Sequence, residues 1–337
     1  MAEFLKVFPD GALRPTPTPT AQRKSSFESS HLEVRMFNVG RGEAILVIPP
    51  TGGNAWLIDC GCHDNKELGE AIAEFLRDEN LSLKGVILSH PHTDHGRAIK
   101  TVLQNAPLAS KFKYFQSNDD FFPTKKNVGG KQWLRDLNTE LKNVGAKTST
   151  VKRRLRNLDL GGDVRARMFA GDPVSRGYTS IFLNLRFRSA QVLFTGDVEC
   201  GYELDLLERR KAADFKADVL KLTHHGNSNG TSKRLLCAVK PGIAIASTGA
   251  DSGHSLEVDV LDRLGDSGQR RIFETQLKGD IILQTDGKQL DGGVLYRVAF
   301  KKKGMFEEAT VRTAAAVEND REKRTSPGKH KKCKKGC

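Results

Sequence analysis

Three histidines and an aspartate stand within six residues of one another, in the segment His90-Pro91-His92-Thr93-Asp94-His95. The segment directly follows residues 85–88, a continuous apolar run of the kind that forms a strand buried on both faces. The histidines are therefore expected at the C-terminal end of a buried strand. So many polar groups in so short a segment are hard to explain by packing.

The residue types in this segment suit a metal site. Imidazole nitrogen and carboxylate oxygen are ligands for borderline divalent ions such as zinc or manganese. A second ion nearby needs a second ligand set, displaced by about 3.5–4 Å. In a bent loop, His90 and His92 can face one ion while Asp94 and His95 turn toward the other. The alternative is a surface loop in which the histidines occur by chance.

Four more candidates follow later strands and stand beside glycine or other small residues, which leave room for a metal or substrate to approach the backbone. They are Asp197, His224, His225 and His254. Taken singly, a strand-end aspartate is more often a turn residue, and a lone histidine is more often a satisfied polar group. Their joint order along the chain favours a shared site.

The remaining pattern predicts one α/β domain between two polar segments. Strand candidates recur at 34–39, 44–48, 55–58, 85–88, 180–185, 191–195, 219–222 and 243–246. Residues 1–30, rich in Pro, Thr and Ser, predict a flexible leader. We expect the folded domain at 31–300, with an insertion of short helices and loops at about 105–156, and a basic flexible tail at 301–337.

Basic residues outnumber acidic ones by 54 to 41, which gives a net charge of +13 and favours polyanionic partners such as nucleic acid. Residues 301–337 carry 12 Lys and Arg against 5 Asp and Glu, and residues 111–156 carry 12 against 4. The alternative is ordinary solvated surface charge. Nothing in the sequence identifies a protein partner.

The cysteines and the hydropathy pattern bear on the compartment. Six irregularly spaced cysteines are too few for a disulfide scaffold, so we expect reduced thiols and a cytoplasmic protein. No secretory signal is expected at the N-terminus. No apolar run approaches the roughly 20 residues needed to span a bilayer, so we expect no membrane insertion.

Taken together, the motifs resemble the metallo-β-lactamase superfamily, and most of all the soluble nuclease-like domain of the ComEC/Rec2 DNA-uptake proteins. The resemblance lies in the series His-x-His-x-Asp-His, Thr-Gly-Asp, His-His-Gly and Gly-His. It also lies in the segments 37–46, 57–61, 217–226 and 239–247. It implies an αββα sandwich of two mixed sheets flanked by helices.

By the same resemblance, the cofactor is two divalent metal ions, Zn or Mn, bridged by the hydroxide that attacks the substrate. The implied metal ligands are His90, His92, Asp94, His95, Asp197, His225 and His254. Asp197 would bridge the ions, His224 is the alternative to His225, and Asp94, His225 and His254 are the residues implied in catalysis.

One departure from the superfamily pattern leaves the function open. Many members place a further ligand histidine before the Thr-Gly-Asp motif, but no histidine occurs here between His95 and His224. The first metal could be under-coordinated or completed by His225. We expect a phosphodiesterase or nuclease acting on DNA. The alternatives are a small-molecule metallohydrolase acting on a phosphoester, thioester or lactam, and a nucleic-acid-binding protein with a degenerate metal site.

Overall fold

The computed structural model describes most of the chain between Ala2 and Lys301. The described residues are 2–7, 9, 13–15, 30–50, 52–63, 67–116, 132–152, 154–171, 180–249, 255–266, 271–290 and 292–301. Within them, two β-sheets pack face to face and helices cover their outer sides.

Eleven of the described strands form the first sheet. They are β1 (Ala2–Val7), β2 (Leu13–Pro15), β3 (Leu32–Met36), β4 (Gly42–Ile48), β5 (Asn54–Cys62), β6 (Ser82–Leu88), β7 (Leu108–Gln116), β8 (Lys147–Thr150), β16 (Asp280–Thr285), β17 (Gln289–Leu290) and β18 (Gly293–Lys301). Their order is β2-β1-β18-β16-β3-β4-β5-β6-β7-β8, with β17 paired to β18. Strands β5 to β8 run parallel.

Seven described strands form the second sheet, in the order β15-β14-β13-β12-β11-β10-β9. They are β9 (Arg156–Gly161), β10 (Val164–Ala170), β11 (Ile181–Phe187), β12 (Ala190–Phe194), β13 (Val219–Lys221), β14 (Ile243–Ala246) and β15 (Arg271–Glu274). Strands β12 to β15 are parallel, and β9 to β12 are antiparallel. Both sheets are therefore mixed.

Nine α-helices lie within the described residues. They are α1 (Leu68–Asp78), α2 (Thr93–Gly96), α3 (Ile99–Asn105), α4 (Gln132–Asn143), α5 (Cys200–Arg209), α6 (Ala212–Phe215), α7 (Lys233–Val239), α8 (Val258–Gly265) and α9 (Thr275–Lys278). A 3-10 turn spans Thr223–Gly226.

Alternating side chains of the central strands place apolar groups on both faces of each sheet. In β4, Ile45 and Val47 enter the core between the sheets, whereas Ala44 and Leu46 enter an outer core that includes residues of α1, α3 and α4. Leu193 of β12 likewise packs in a second outer core with α5, α7 and α8. Because each sheet is buried on both faces, the layers stack as αββα, which confirms the predicted fold class.

The N-terminal segment differs from the expected flexible leader. Ala2–Val7 pairs antiparallel with β18, and Leu5 and Val7 enter the core between the sheets. The Pro, Thr and Ser residues that follow this short apolar strand dominate the composition of residues 1–30, so composition predicted a flexible segment. Residues 16–29 lie outside the described residues.

Residues 105–156 also differ from the expected short helices and loops. Strands β7 and β8 extend the first sheet from β6, and α4 packs Leu134, Leu137 and Leu141 in the outer core. Parallel pairing joins segments that are distant in sequence, so local composition did not reveal it. The exact domain boundaries, including the tail at 302–337 outside the described residues, stay a prediction.

The cysteines divide into two groups. Cys60 and Cys62 are buried thiols outside any disulfide, as expected. Cys200 and Cys237 are disulfide-bonded, so the expectation of reduced thiols was wrong for these two residues. They lie on α5 and α7, two helices that pack together. In the part of the chain that the structure describes, none of the helices has the length and the hydropathy that a membrane span requires.

Candidate metal centre

Polar side chains from both sheets meet where parallel strands end. His90 and His92 follow β6, Asp197 follows β12, and His225 follows β13. Asp94 and His95 lie in α2, which begins directly after His92. Because the carboxyl ends of β6, β12 and β13 lie at one edge of the sandwich, a single loop and two strand ends assemble the whole cluster.

Close backbone packing holds the loop against the first sheet. A Cβ atom on Gly61 would lie 2.5 Å from the carbonyl oxygen of Thr93 and 2.6 Å from the backbone nitrogen of His95. Only glycine leaves room for this approach. Gly61 therefore fixes where α2 and its two polar side chains lie.

The six candidate side chains form two groups that share Asp197. In the first, possible ligand atoms of His90, His92 and Asp197 all lie within 4.8 Å of one another. In the second, those of Asp94, His95, Asp197 and His225 do so. The pair His90 and His92 thus separates from the pair Asp94 and His95, and His225 lies with the second pair.

Asp197 occupies the centre of the cluster. Its Oδ2 lies 3.1 Å from His95 Nε2, 3.5 Å from His225 Nε2 and 3.6 Å from His90 Nε2. Its Oδ1 is buried and has no hydrogen-bond donor among the described residues. A buried carboxylate oxygen normally has a partner. The exception, amid three imidazole nitrogens, fits a site built for divalent cations.

The ionisation of the cluster reflects the crowding of these groups. Burial raises the pKa of Asp197, but nearby His95, His225 and His90 outweigh it and hold the pKa well below its usual range. Burial lowers the pKa of His225, but the negative charge of Asp197 more than offsets the effect of burial. The pKa of His225 is therefore raised to about 9. Burial and neighbouring His95 lower the pKa of His90 well below its usual value.

Asp59 orients His95 from behind. Its Oδ2 lies 2.8 Å from His95 Nδ1 and accepts a 2.6 Å hydrogen bond from Ser89 Oγ, while Oδ1 accepts one of 2.7 Å from Ser89 N. Asp59 is the extra residue of a β-bulge in β5, with φ +54°. The bulge aims its fully buried carboxylate at the metal loop.

A second buried charge pair lies behind the cluster. Lys221 of β13 forms an ion pair with Glu43 of β4, and both side chains are almost fully buried. Burial lowers the pKa of Lys221, but Glu43 and then Asp197 raise it above its ordinary value. Lys221 therefore stays cationic and joins the two sheets beneath the site.

The structure distinguishes the two neighbouring histidines of the 3-10 turn. His225 is buried and places Nδ1 3.0 Å from the carbonyl oxygen of Ser247, so Nε2 faces the cluster. His224 turns away, with Nδ1 2.9 Å from Asn229 Oδ1. Both residues adopt left-handed backbone conformations, with φ +48° at His224 and +56° at His225.

The loop after His225 is clamped by two buried charged residues. The Glu203 carboxylate accepts hydrogen bonds from Thr231 N at 2.6 Å, Ser232 N at 2.7 Å and Thr223 Oγ1 at 3.1 Å. Arg263 donates to the carbonyl oxygens of residues 228, 230 and 231. These bonds satisfy backbone groups that a buried loop would otherwise leave unpaired.

One expected site residue, His254, is not among the residues placed above. His254 lies outside the described residues, so its role as a ligand and in catalysis stays a prediction. Sequence reasoning assigned no role to Asp59, Glu43, Lys221 or Glu203. The available signal was a charged residue inside or directly after an apolar strand, as in residues 57–59 and 219–221.

The family comparison agrees with this architecture. The metallo-β-lactamase superfamily matches residues 38–111, which contain the whole histidine motif. Residues 38–111 are thus similar to this superfamily, whose fold implies binding of divalent metal, and the two groups of His and Asp side chains could hold such ions.

The curated relatives are of the ComEC/Rec2 type, which confirms the predicted resemblance. ComE operon protein 3 of Bacillus subtilis is 26% identical over 267 residues, 75% of this chain and 33% of that protein. Recombination protein 2 of Haemophilus influenzae is 26% identical over 232 residues, 64% of this chain and 24% of that protein. The chain thus spans a third or less of the length of these two relatives.

Among solved structures, unliganded yeast PDE1 aligns with 80% of this chain and 100% of its own, at 12% identity and a TM-score of 0.46. The αββα architecture is given by the strand order of the two sheets and by the helices that pack on their outer faces.

Proposed function

We propose that this chain is a metal-dependent phosphodiesterase that cleaves nucleic acid, with DNA as the first substrate to test. The observation that carries the proposal is the pair of ligand groups sharing Asp197. Two cation sites a few ångströms apart are the arrangement that many phosphatases and nucleases use on phosphate esters.

In this proposal each group holds one divalent ion, Zn or Mn. His90 and His92 would hold the first, Asp94, His95 and His225 the second, and Asp197 belongs to both groups. When bound, such ions supply positive charge that stabilises a phosphate transition state and lowers the pKa of water. His254 is proposed to complete the ligand set or to contact the scissile phosphate.

Hydrogen bonds at Nδ1, the ring nitrogen that points away from the cluster, orient two of these imidazoles. Asp59 Oδ2 accepts the Nδ1 proton of His95, and the carbonyl oxygen of Ser247 accepts that of His225. With the proton held on Nδ1, the Nε2 lone pair of each ring can point into the cluster. The two acceptors therefore fix the tautomer that cation binding requires.

Charge and kinship support a polymeric, anionic substrate. The chain carries a net charge of +13, and its relatives are named as a ComE operon protein and a recombination protein. Arg97 is exposed and Lys100 half-buried beside the metal loop, where either could line the approach of a phosphate backbone. Binding should therefore weaken steeply as salt rises.

The test is cleavage of labelled single- and double-stranded DNA and RNA by the full chain with Mn²⁺, Zn²⁺ or Mg²⁺. The His92→Ala, Asp94→Ala double variant removes one donor from each group. His31→Ala is the matched control, because His31 lies against Gln284 of β16, away from the cluster.

Cleavage that needs metal and the intact motif, and that survives in His31→Ala, supports the nuclease proposal. If the wild type binds metal and hydrolyses bis(p-nitrophenyl) phosphate but leaves polymers intact, a small-molecule hydrolase replaces it. If nucleic acid binds and no metal does, the cluster is degenerate and the chain is a binding protein.

A further inference from the structure

A short basic segment connects the two sheets close to the metal loop. We define the basic crossover as Lys152, Arg154 and Arg156, which lie between the edge strand β8 of the first sheet and the start of the edge strand β9 of the second. All three side chains are exposed. Residues 141–158 contain no acidic residue, so this stretch of the chain is purely cationic.

Strand register in the first sheet places the crossover near the metal loop. Leu88 of β6 pairs with Gln116 of β7, which pairs with Thr150 of β8. These strands are parallel, so their C-terminal ends lie side by side. Two strand spacings amount to about 10 Å. Lys152 follows Thr150 by two residues, as His90 follows Leu88.

Backbone hydrogen bonds that involve the second sheet also place the crossover near the metal loop, independently of the strand register in the first sheet. Lys152 O accepts a hydrogen bond from Ala170 N at 3.2 Å, and Ala170 pairs with Ile181. Ile181 N in turn donates to Ser89 O at 3.0 Å. Ser89 is the residue immediately before His90, so three backbone pairings connect the crossover to the metal loop.

The charges of the crossover are not neutralised within the described residues. None of the three side chains forms an ion pair with a described carboxylate. Asp159, the next acidic residue along the chain, pairs instead with Arg165 at 3.4 Å. The Arg156 guanidinium lies over the ring of Phe115, 5.6 Å from its centroid, which keeps it on the side of β7.

We propose that the basic crossover binds the phosphate backbone of a nucleic-acid strand whose scissile phosphate lies at the metal centre. This inference rests on the proposed function and adds the path that the nucleic-acid strand takes across the surface. For a strand in helical geometry, which rises about 3.4 Å per nucleotide along its axis, the roughly 10–15 Å between the two places corresponds to three or four nucleotides. A single row of cations suits one strand, read through its phosphates and not its bases.

Protection of sheet edges gives the competing explanation for these residues. Edge strands often carry lysine or arginine because charge prevents pairing with another molecule. Under that explanation, removal of the cations would alter aggregation and leave nucleic-acid binding unchanged.

The test measures binding and catalysis by the full chain with the triple variant Lys152→Ala, Arg154→Ala, Arg156→Ala. The control triple is Lys240→Ala, Arg271→Ala, Lys288→Ala. It removes the same charge from exposed sites, two of them at the N-terminal ends of parallel strands β14 and β15.

Binding is measured without divalent metal, by fluorescence anisotropy of a fluorescein-labelled single-stranded DNA 20-mer between 0.05 and 0.3 M salt. Loss of three phosphate contacts should reduce the slope of log K against log salt by about 2 and weaken binding about 100-fold at 0.1 M salt. The control triple should bind within about twofold of the wild type. Hydrolysis of bis(p-nitrophenyl) phosphate, which needs only the metal centre, should persist in both variants.

Equal binding by the wild type and the crossover variant, or equal weakening in both triples, overturns the inference. So does a wild type that does not bind the DNA at the lowest salt. Binding that depends on the crossover, in a wild type that cleaves neither DNA nor RNA with any metal, would refute the proposed nuclease and leave the crossover as a surface that binds nucleic acid. Cleavage with unchanged binding would do the reverse.

Discussion

Replacing Asp59 by asparagine should weaken metal binding without disturbing the backbone. Asparagine tolerates the left-handed conformation at φ +54° as aspartate does. Its Oδ1 can still accept the hydrogen bond from Ser89 N. Its Nδ2, however, is a donor where His95 Nδ1 now meets an acceptor at 2.8 Å. The imidazole must then carry its proton on Nε2, the nitrogen that faces Asp197.

The size of this effect follows from what such partners contribute elsewhere. Loss of a carboxylate behind a metal-binding histidine costs about 10- to 100-fold in metal affinity, or about 1.4 to 2.7 kcal/mol. The assay is competition for Zn²⁺ or Mn²⁺ against a chromophoric chelator. Asp218→Asn is the matched control, because it removes a buried carboxylate charge at the other end of β13. An affinity within twofold of the wild type in Asp59→Asn would refute the orienting role.

Three further predictions address other parts of the molecule. His225→Ala should lower metal-dependent hydrolysis by at least about 100-fold, more than loss of an outer partner, whereas His224→Ala should change it only a few-fold; steady-state rates compare the two. Glu203→Gln should reduce unfolding free energy by about 1–3 kcal/mol, because an amide cannot accept all three of its hydrogen bonds; chemical denaturation measures this, and an unchanged midpoint would contradict the clamp. Burial raises the pKa of Asp218 to about 6. The folded state therefore holds a proton that the unfolded state loses first, so the contribution of Asp218 to stability falls as pH rises from about 4 to 6. Between about pH 4 and 6, the unfolding free energy of Asp218→Asn should rise by about 3 kcal/mol relative to that of the wild type. A difference that does not change with pH would refute the raised pKa of Asp218.

The predictable parts of the fold are those with local signals. The apolar run at 85–88 ends in a histidine motif, and each later strand ends in a small-residue turn with one polar side chain. These patterns predicted an α/β domain and the region where the candidate ligands meet, and the resemblance of the motifs implied the two mixed sheets. The separation of His90 and His92 from Asp94 and His95 follows from a bent loop of six residues.

The rest depends on contacts between distant segments. Asp59 acquires its orientation from a bulge in the pairing of β4 with β5, which the apolar pattern does not encode. Strand β8 carries Lys, Thr and Ser and is a strand because it pairs with β7. Glu203 and Arg263 reach one loop from two helices that are separated by about fifty residues of sequence. Only tertiary structure brings them together.

The number of bound metal ions distinguishes a site of two ligand groups from a site of one. Purified chain loaded with Zn²⁺ or Mn²⁺, freed of excess ion and analysed by inductively coupled plasma mass spectrometry, should hold two ions per chain. His92→Ala should lose one and keep the other, because His92 belongs only to the first group. One ion or none in the wild type, or two retained in His92→Ala, would contradict a site of two groups sharing Asp197.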